Sequence, residues 1–421
     1  MKILVIYYNW ELNPRKTIIE NIKSFEKYLS CPVYYLNIAW GIPIWIENLK
    51  FDVVIYHYTF LGLKWVDGEK KLFNPSIDRL AKIQGVKIAM PQDEYVFSNL
   101  LCSFFKRHKI DILCTCFFSE DYEKVYPKDL TGIIHYMTVL PGYVDDEAVL
   151  NWKNKNSEHK FRKIDLGYRA RKNPYWLGKL GFYKWYITEK FNQIKTDLRF
   201  DLSNDPKAVI TGEKWYKFLA SCRCVLGVES GSSLLDPEGR IRLSVNNYEK
   251  NNPNSTFSMC EQACFPGLDG NINLSTVSPR HFEACITKTC QVLLEGKYAG
   301  IFIPEKHYIE VKKDFSNLDE VIEKIGNIEY CERIAEQAYK DIIIPGNLTY
   351  KVFLNNLLDF VLSIKKTISE ENNNKIMSKL KRREKHPYLC SPFKYFMLLS
   401  KGYIKMNLVK YGLLEFFIKK V

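Results

Sequence analysis

The amino-acid sequence predicts an α/β protein with two parallel-sheet domains that face a cleft, followed by a basic amphipathic helical tail. With 421 residues, the chain is too long for one hydrophobic core and suits two domains of about 150–200 residues. Short apolar runs alternate with helical patterns in both halves, which is typical of parallel sheets covered by helices on both faces. The formal net charge of +13 is concentrated near the C-terminus, which indicates a specialised tail.

The first domain is predicted over residues 1–155, from six apolar strands separated by helices. The strands are predicted at ILVIYYN, PVYYLNI, DVVIYHYT, VKIAM, DILCTCFF and IIHYMTVL. Helices are predicted at TIIENIKSFEKYL, at residues 75–83 and in the stretch that ends at Lys109. Because such sheets bind ligands at the carboxyl ends of their strands, polar residues at those ends become candidate site residues.

The second domain is predicted over residues 156–345, after a polar, lysine-rich linker at 151–160. Its strands are predicted at KIDLGY, CRCVLGV, QVLLE, GIFI and HYIEVKKD. Its helices are predicted to include EKWYKFLAS, SPRHFEACITKTC, LDEVIEKIG and EYCERIAEQAYKDII. A further helix at 346–370 and the tail at 371–421 complete the chain.

The composition argues against a secreted, membrane-spanning or zinc-binding protein. The N-terminal run MKILVIYYNW has no small-residue cleavage site, and no uncharged apolar run reaches the roughly 18–20 residues that a membrane span needs. Cys222 and Cys224 lie in an apolar run, and Cys260 and Cys264 lack the paired spacing of a zinc site. We therefore expect a cytosolic protein with reduced, mostly buried thiols and no metal ligands.

Three cations follow the first strand of the second domain, at its carboxyl end. Arg169, Arg171 and Lys172 lie within four residues of one another. Guanidinium and ammonium groups in that position suit the negative charge of a diphosphate. A solvated turn is the alternative interpretation.

Small polar residues follow the next predicted strand in the segment LGVESGSSLLDPEG. Glu229, Ser230, Gly231 and Ser232 come directly after the apolar run. Small side chains allow backbone N–H groups to approach an oxyanion or a sugar hydroxyl. The segment matches neither a P-loop nor a dinucleotide fingerprint, and an ordinary tight turn is the alternative.

The segment SPRHFEA predicts a helix start that favours an anion. Pro279 suits the first helical position, and Arg280 and His281 can add positive charge beside the helix N-terminus. Glu283, one turn further along, can accept two hydrogen bonds from a vicinal diol such as a ribose. The alternative is that Glu283 forms an ordinary helical ion pair with Arg280.

The segment HYIEVKKD supplies another set of candidates. His307, Tyr308 and Lys312 could line the cleft, or they could be ordinary strand and turn residues.

The first domain offers candidates for acid–base chemistry at two strand ends. Asp93 and Glu94 follow the strand VKIAM, where a carboxylate that faces the cleft could accept a proton from an incoming hydroxyl. His57 ends the strand DVVIYHYT and is a second candidate base. A structural histidine with satisfied hydrogen bonds is the commoner outcome for such a residue.

These motifs carry a resemblance to a known family. The order strand, helix containing FEA, strand, HYIEVKKDFSNLDEVIEKI and final helix resembles the C-terminal half of GT-B-type glycosyltransferases of the "group 1" superfamily, which have two Rossmann-like domains. The segments IDLGYRARKNPYW, LGVESGSSLLDPEG, SPRHFEACITKT and HYIEVKKDFSN are similar to bacterial surface-polysaccharide (O-antigen and capsule) glycosyltransferases. The resemblance covers roughly residues 1–365.

The resemblance implies a metal-independent enzyme that moves a sugar from a nucleotide-diphosphate donor to a glycan or lipid-linked acceptor, in cell-surface polysaccharide synthesis. It implies no cofactor beyond the nucleotide sugar as co-substrate. Glu283 would bind the donor's ribose, and Arg169 and Arg171 would bind its diphosphate.

The chain departs from the family at the catalytic glutamates. Retaining members of the superfamily carry two glutamates separated by seven residues, but Ser275 stands eight positions before Glu283, which leaves Glu229 as the other candidate. We expect retention of the anomeric configuration. In an inverting reaction, Asp93 or Glu94 would have to act as the base.

The tail has the composition of a membrane-binding segment. Residues 375–421 contain twelve Lys and Arg against Glu384 and Glu415, interleaved with aromatic and aliphatic residues. Such a segment suits the anionic inner face of the cell membrane, and the alternative is a helical extension that packs on the body. By the resemblance, the helix at 346–370 would pack back on the first domain. The oligomeric state is open.

Two functions of other classes stay open at this point. An epimerase acting on a nucleotide sugar would form product from the donor alone. A non-enzymatic polyanion binder would use the tail and the arginine-rich turn, with binding that falls steeply with salt. Because the basic excess is confined to the tail, we expect no nucleic-acid partner.

Overall fold

The computed structural model describes residues 1–11, 16–153, 155, 158–364 and 374–386. The prediction of a membrane-binding tail falls mainly on residues 387–421, which lie outside the described residues. Among the described residues, no helix combines the length and apolar character needed to cross a bilayer.

The first domain is built on one sheet of six parallel strands. In chain order they are β1 (Ile3–Tyr7), β2 (Val33–Asn37), β3 (Lys50–Tyr56), β4 (Gln84–Ala89), β5 (Ile112–Thr115) and β6 (His135–Thr138). Their spatial order is β2-β1-β3-β4-β5-β6, and every pairing is parallel. The six predicted strands are confirmed, although β3 ends one residue before His57.

The second domain is built on a sheet of five parallel strands and a separate two-stranded ribbon. In chain order the strands are β7 (Ile164–Arg169), β8 (Phe200–Ser203), β9 (Cys222–Gly227), β10 (Ser230–Ser232), β11 (Leu274–Thr276), β12 (Cys290–Leu294) and β13 (Ile309–Val311). The sheet order is β13-β12-β9-β7-β8, and β10 pairs with β11 antiparallel. The predicted strand GIFI is wrong, because a short 3-10 turn, Tyr298–Gly300, ends at its first residue and residues 301–303 form a turn and irregular backbone. The half-buried edge strand β8 was not predicted.

Helices connect the strands and cover both sheets. In chain order they are α1 (Lys16–Tyr28), α2 (Tyr58–Leu61), α3 (Gly68–Leu72), α4 (Pro75–Lys82), α5 (Ser98–His108), α6 (Tyr122–Val125), α7 (Lys128–Thr131), α8 (Asp146–Trp152), α9 (Gly178–Asn192), α10 (Glu213–Ser221), α11 (Arg240–Asn251), α12 (Phe257–Cys264), α13 (Pro279–Ile286), α14 (Leu318–Gly326), α15 (Ile328–Ala338), α16 (Tyr350–Ile364) and α17 (Asn374–Lys385). The fold class predicted from the sequence, two α/β domains with parallel sheets that face a cleft, is confirmed.

An insertion between β10 and β11 connects the two domains along one side. It contains α11 and α12, which were not predicted. The backbone N–H of Asp236 donates to the carbonyl of Tyr95 at 2.7 Å, and the N–H of Phe97 donates to the carbonyl of Asp236 at 3.0 Å. The guanidinium of Arg242 lies 5.3 Å from the ring centroid of Trp65 in the first domain. The insertion therefore braces the second domain against the first.

The last two helices pack on the first domain. Phe353 and Leu357 of α16 belong to the same apolar core as β1 and β3, and so do Met377 and Leu380 of α17. The carboxylate of Glu384 accepts a hydrogen bond from the Tyr7 hydroxyl at 2.9 Å. The first part of the predicted tail, residues 374–386, thus forms part of the folded body.

Candidate active site

A cleft of about 1010 Å³ lies between the two domains. From the first domain it is lined by residues that include Glu20, Asn21, Tyr58 and Gln92. From the second domain it is lined by residues that include Trp215, Tyr216, Arg280 and Glu283. The volume lies at the upper end of the range of small-molecule pockets, so the cleft has room for a nucleotide sugar.

The helix α13 begins at the wall of the cleft. Pro279 occupies the first helical position, as predicted, but the Ser278 side chain makes no capping hydrogen bond. Arg280 is exposed, and its Nη1 donates to the Arg169 carbonyl at 2.7 Å. Its guanidinium lies 5.0 Å from the ring centroid of Trp215. These contacts fix a positive charge beside the helix start, where an anion is stabilised.

Glu283 is half-buried one turn further along α13. Its Oε2 accepts a hydrogen bond from Trp215 Nε1 at 2.7 Å. Burial raises the pKa of Glu283, while the Trp215 hydrogen bond and the charge of Arg280 lower it. The alternative, an ion pair of Glu283 with Arg280, does not form, and Arg280 is instead bound to the Arg169 carbonyl. The carboxylate is therefore held in place and can accept hydrogen bonds from a ligand.

A second cation, Lys184 of α9, lies close to Arg280. Its Nζ donates to Ser230 Oγ at 3.0 Å. Burial lowers the pKa of Lys184 to about 8, the charge of Arg280 lowers it further, and Asp93 of the first domain opposes both. Lys184 and Arg280 line the same small cavity at the end of β9. Two neighbouring cations of the second domain, of which Arg280 also lines the cleft, therefore give this cavity a positive charge that attracts anions.

The three cations predicted at the end of β7 do not line the cleft. Arg169 Nη2 forms an ion pair with Asp201 at 2.8 Å, and Arg169 Nη1 donates to backbone carbonyls. Arg171 and Lys172 are exposed, and Lys172 Nζ lies over the ring of Trp185 at 5.1 Å. Arg169 thus contributes to the site through its carbonyl, which orients Arg280.

The segment after β9 is used mainly to brace the second domain. Glu229 is buried, and its Oε1 accepts a hydrogen bond from the backbone N–H of Tyr298 at 2.7 Å. Gly231 has a φ of 131° and packs against the carbonyl of Leu274, so no side chain fits there. Ser232 is fully buried and accepts a hydrogen bond from the N–H of Leu234 at 3.0 Å. The predicted catalytic position of Glu229 is wrong, because its carboxylate holds a loop and does not line the cleft.

His281 does not add charge to the helix start, so this prediction is wrong. The ring is buried, with Nδ1 at 2.8 Å from Gln291 Oε1. Burial lowers the pKa of His281 to about 4, so the imidazole is neutral near pH 7.

The predicted cleft positions of His307, Tyr308 and Lys312 are also wrong. His307 is buried, with Nε2 at 3.0 Å from Asp341 Oδ2, and Tyr308 is fully buried in the core below β13. Lys312 is exposed but does not line the cleft. An alternating strand pattern does not reveal which face of an edge strand is covered, and here the aromatic core covers the side of Tyr308.

His57 has a structural role, so its prediction as a base is wrong. It is fully buried, its Nδ1 accepts from the N–H of Thr59 at 3.2 Å to cap α2, and its Nε2 lies 2.7 Å from Asn21 Oδ1. Burial lowers the pKa of His57 to about 3. The ring therefore orients Asn21, which does line the cleft.

Asp93 and Glu94 are neighbours in sequence, but the first is exposed and the second is buried. Glu94 is fully buried and accepts hydrogen bonds from Thr115 Oγ1 at 2.6 Å, the Cys116 N–H at 2.9 Å and the Tyr126 hydroxyl at 2.8 Å. Burial raises the pKa of Glu94 to about 7. The prediction that Glu94 faces the cleft is wrong, because its buried carboxylate connects the loop after β4 to the end of β5 through hydrogen bonds.

Asp93 is exposed in a left-handed conformation, with a φ of 51°. The buried Lys64 holds this backbone by donating from Nζ to the carbonyls of Asp93 at 2.5 Å and Val96 at 3.1 Å. The Asp93 side chain accepts a hydrogen bond from the Tyr95 hydroxyl at 3.0 Å. Among the predicted carboxylates of the first domain, Asp93 is thus the one available to a ligand.

Sequence reasoning missed Lys184, Trp215 and Lys64. Lys184 and Trp215 lie inside the helices α9 and α10, where no local motif distinguishes them. Lys64 lies between two short helices with no pattern of its own. Each acquires its role through a partner that is distant in the chain.

No protein-family model and no curated protein match this sequence. Solved structures do resemble it. An α-glucosyltransferase in complex with UDP and DNA containing an HMU base is 10% identical, with 86% of this chain and 99% of that chain covered and a TM-score of 0.48. Anabaena Alr3699/HepE in complex with UDP-glucose is 11% identical, with 87% and 100% covered and a TM-score of 0.45.

The structure named TarM is also similar to this chain. It is 10% identical with a TM-score of 0.44 and matches 73% of this chain, which spans about half (54%) of TarM. At about one identical residue in ten, the likeness to these structures concerns the fold alone. The proposed function therefore rests on this chain's own side chains.

Proposed function

We propose that this protein is a glycosyltransferase that moves a sugar from a nucleotide-diphosphate donor to a glycan or lipid-linked glycan acceptor, in cell-surface polysaccharide synthesis. The observation that carries the proposal is one group of side chains at the wall of the cleft and in the small cavity beside it. Glu283 is held by Trp215 beside the cations Arg280 and Lys184, and Asp93 of the opposite domain interacts with Lys184. This arrangement matches the chemistry of a diphosphate linked to a ribose on one side and to a reacting sugar on the other.

The donor would bind to the second domain. Arg280 and Lys184 would bind the diphosphate, supported by the N-terminus of α13. Glu283 would accept hydrogen bonds from the ribose hydroxyls, in the role that the family resemblance implies for it. Trp215 would keep the carboxylate oriented through its indole N–H.

The reaction would take place between the two domains. The bond from the sugar's anomeric carbon to the diphosphate oxygen breaks, and the acceptor oxygen bonds to that carbon. Arg280 and Lys184 would stabilise the charge that builds on the leaving diphosphate, in a cleft from which water is partly excluded. The acceptor proton passes to Asp93 if the configuration inverts and to the leaving diphosphate if it is retained. The anomeric configuration of the product therefore assigns the role of Asp93.

The test is binding of a panel of nucleotides, UDP, GDP, dTDP, ADP, CDP and CMP, measured by thermal unfolding. A ligand at about a hundred times its dissociation constant adds about 2.7 kcal/mol to the stability of the native state. We expect a shift with one diphosphate, and its loss in Glu283→Ala and Lys184→Ala.

The matched control for Lys184→Ala is Lys190→Ala, on the same helix but outside the cavity that Lys184 and Arg280 line. It should keep the shift. The assignment fails if no diphosphate stabilises the protein, or if binding survives both Glu283→Ala and Lys184→Ala. Product formed from the donor without any acceptor would instead indicate an epimerase.

Attachment to the inner face of the membrane belongs to the same proposal. Residues 374–386 pack on the first domain, so the basic segment that follows begins on the domain proposed to hold the acceptor. Deleting residues 387–421 should release the protein from anionic vesicles and leave nucleotide binding intact, because the cut spares α17. Vesicle binding by the shortened protein would contradict this part of the proposal.

A further inference from the structure

Three cysteines that are far apart in sequence meet in the core of the second domain. Cys224 of β9 and Cys290 of β12 are direct partners on neighbouring parallel strands, and Cys331 lies on α15, which packs over them. All three are fully buried. Their sulfur atoms all lie within 4.8 Å of one another, with the Sγ atoms of Cys224 and Cys331 at 3.4 Å. Tetrahedral Zn²⁺ with Zn–S bonds of about 2.3 Å holds its sulfur ligands about 3.8 Å apart, so the sulfur atoms are already near that spacing.

A buried histidine with a free lone pair adjoins this cluster. His159 lies on a short 3-10 helix, His159–Phe161, that packs against α15. Its Nε2 lies 2.8 Å from the carbonyl of Lys288, two residues before Cys290. Because a carbonyl only accepts hydrogen bonds, Nε2 carries the proton and Nδ1 carries the lone pair. Nδ1 is buried and has no hydrogen-bond partner among the residues that the structure describes.

The hydrogen bond and the position of the His159 ring also suit a metal ligand. A ring N–H bonded to a backbone carbonyl is the usual support for a histidine that binds a metal through its other nitrogen. The 3-10 helix of His159 packs against α15, which carries Cys331, and the ring contacts Lys288 two residues before Cys290, so the ring lies near the cluster.

A cation lies near the sulfur atoms. Arg223 Nη1 donates to the Ile325 carbonyl, which also lies 3.6 Å from Cys331 Sγ. A positive charge there favours the anionic thiolates that a zinc ion binds.

We propose that Cys224, Cys290 and Cys331 bind a zinc ion, with His159 Nδ1 as the fourth ligand. Binding displaces the protons of the three thiols to solvent, and the neutral imidazole contributes its lone pair. Nδ1 lies outside the group of three sulfur atoms, so the ring moves toward them on coordination.

The site would be structural. None of the four residues lines the cleft, so the ion would join β9, β12, α15 and the 3-10 helix without entering the transfer chemistry. The site stands on the sulfur and imidazole geometry alone and is independent of the function proposed above.

The first experiment is metal analysis of the full-length protein, purified with a reductant and without chelator. We expect about one zinc per chain. Cys224→Ser, Cys290→Ser and Cys331→Ser should each lose it, and His159→Gln should weaken zinc binding by more than tenfold. The matched control is Cys222→Ser, a fully buried cysteine of the same strand that lies outside the cluster, and it should keep the zinc.

A second measurement uses only the wild-type chain, so it does not depend on the folding of the variants. Adding Co²⁺ to the chelator-treated protein should give thiolate-to-cobalt charge transfer and tetrahedral absorption bands that saturate at one equivalent. Added zinc should replace the cobalt and abolish these bands. Removing the metal with a chelator should lower the melting temperature of the protein. The proposal is overturned if the protein binds neither ion at one equivalent, if Cys222→Ser loses zinc as the other variants do, or if Cys224 and Cys331 are found in a disulfide.

Discussion

The two domains share one strand order but use their strand ends differently. In each sheet the first strand lies between the second and the third, which places a crevice at the carboxyl ends of β1 and β3 and another at those of β7 and β9. In the first domain His57 follows β3 at this point, and its hydrogen bonds are made within the protein. In the second domain the crevice is lined by Arg280 and Lys184 and stays open to a ligand.

The difference shows that topology gives a place for a site, and that side-chain partners decide whether the place is used. The polar residues of the first domain brace strands and helix starts, and Asp93 is the carboxylate left exposed there. In the second domain the half-buried Lys184 and the exposed Arg280 line a cavity at the corresponding strand end. Four predictions test this difference between the domains.

The largest expected effect is on the stability of the first domain. Glu94→Ala removes the acceptor of three buried hydrogen bonds and the nearby counter-charge of Lys64, so we expect a loss of about 3–5 kcal/mol in the free energy of unfolding. Asp93→Asn, which tolerates the same left-handed backbone, should change it by less than about 0.5 kcal/mol. Urea unfolding measures both, and equal losses would contradict the contrast between these neighbours.

The next effect concerns the rate of sugar transfer. Arg280→Ala should lower kcat about 100- to 1000-fold, because it removes a positive charge that stabilises the leaving diphosphate. The melting temperature should hardly change, since the Arg280 side chain is exposed. Steady-state kinetics with the donor identified in the nucleotide panel measures this effect. An unchanged kcat would mean that the leaving diphosphate does not bind beside α13.

The third prediction is a pH dependence of donor binding. The pKa of Lys184 is lowered to about 8, so the free protein loses this charge as the pH rises through that value. Diphosphate affinity should then fall by up to about tenfold for each further pH unit. In Lys184→Arg, whose guanidinium stays charged, affinity should stay level over the same range. Titration calorimetry from pH 7 to pH 10 compares the two, and parallel curves would exclude Lys184 as the cause.

The smallest effect tests the support of Glu283. Trp215→Phe keeps an aromatic ring but removes the indole N–H that donates to Glu283 Oε2. We expect a loss of about 0.5–1.5 kcal/mol in nucleotide binding, equivalent to roughly a tenfold weaker affinity at most. The loss should shrink for a 2′-deoxynucleotide if Glu283 binds the ribose. A loss of equal size for both nucleotides would place the ribose elsewhere.

The sequence predicted the second half of the site better than the first. Pro279, Arg280 and Glu283 lie on one short helix, so their mutual placement follows from helix geometry alone. His57 and Glu94 were correctly placed at strand ends, but the direction of a side chain that leaves a strand end depends on the loop that follows. In both cases the loop turns the side chain into the core. There His57 contacts Asn21, and Glu94 accepts a hydrogen bond from Thr115.

Hydrophobic periodicity and helix-start signals are local, and they were enough to predict the two parallel sheets, about half of the helices and the position of α13. The sequence by itself could not determine which polar groups share a space. Lys184 and Arg280, the cysteines of β9, β12 and α15, and the contact of α17 with the first domain all join residues that are distant in the chain. Only the packing of the elements brings these groups together, because a side chain's charge, burial and partners depend on its neighbours in space.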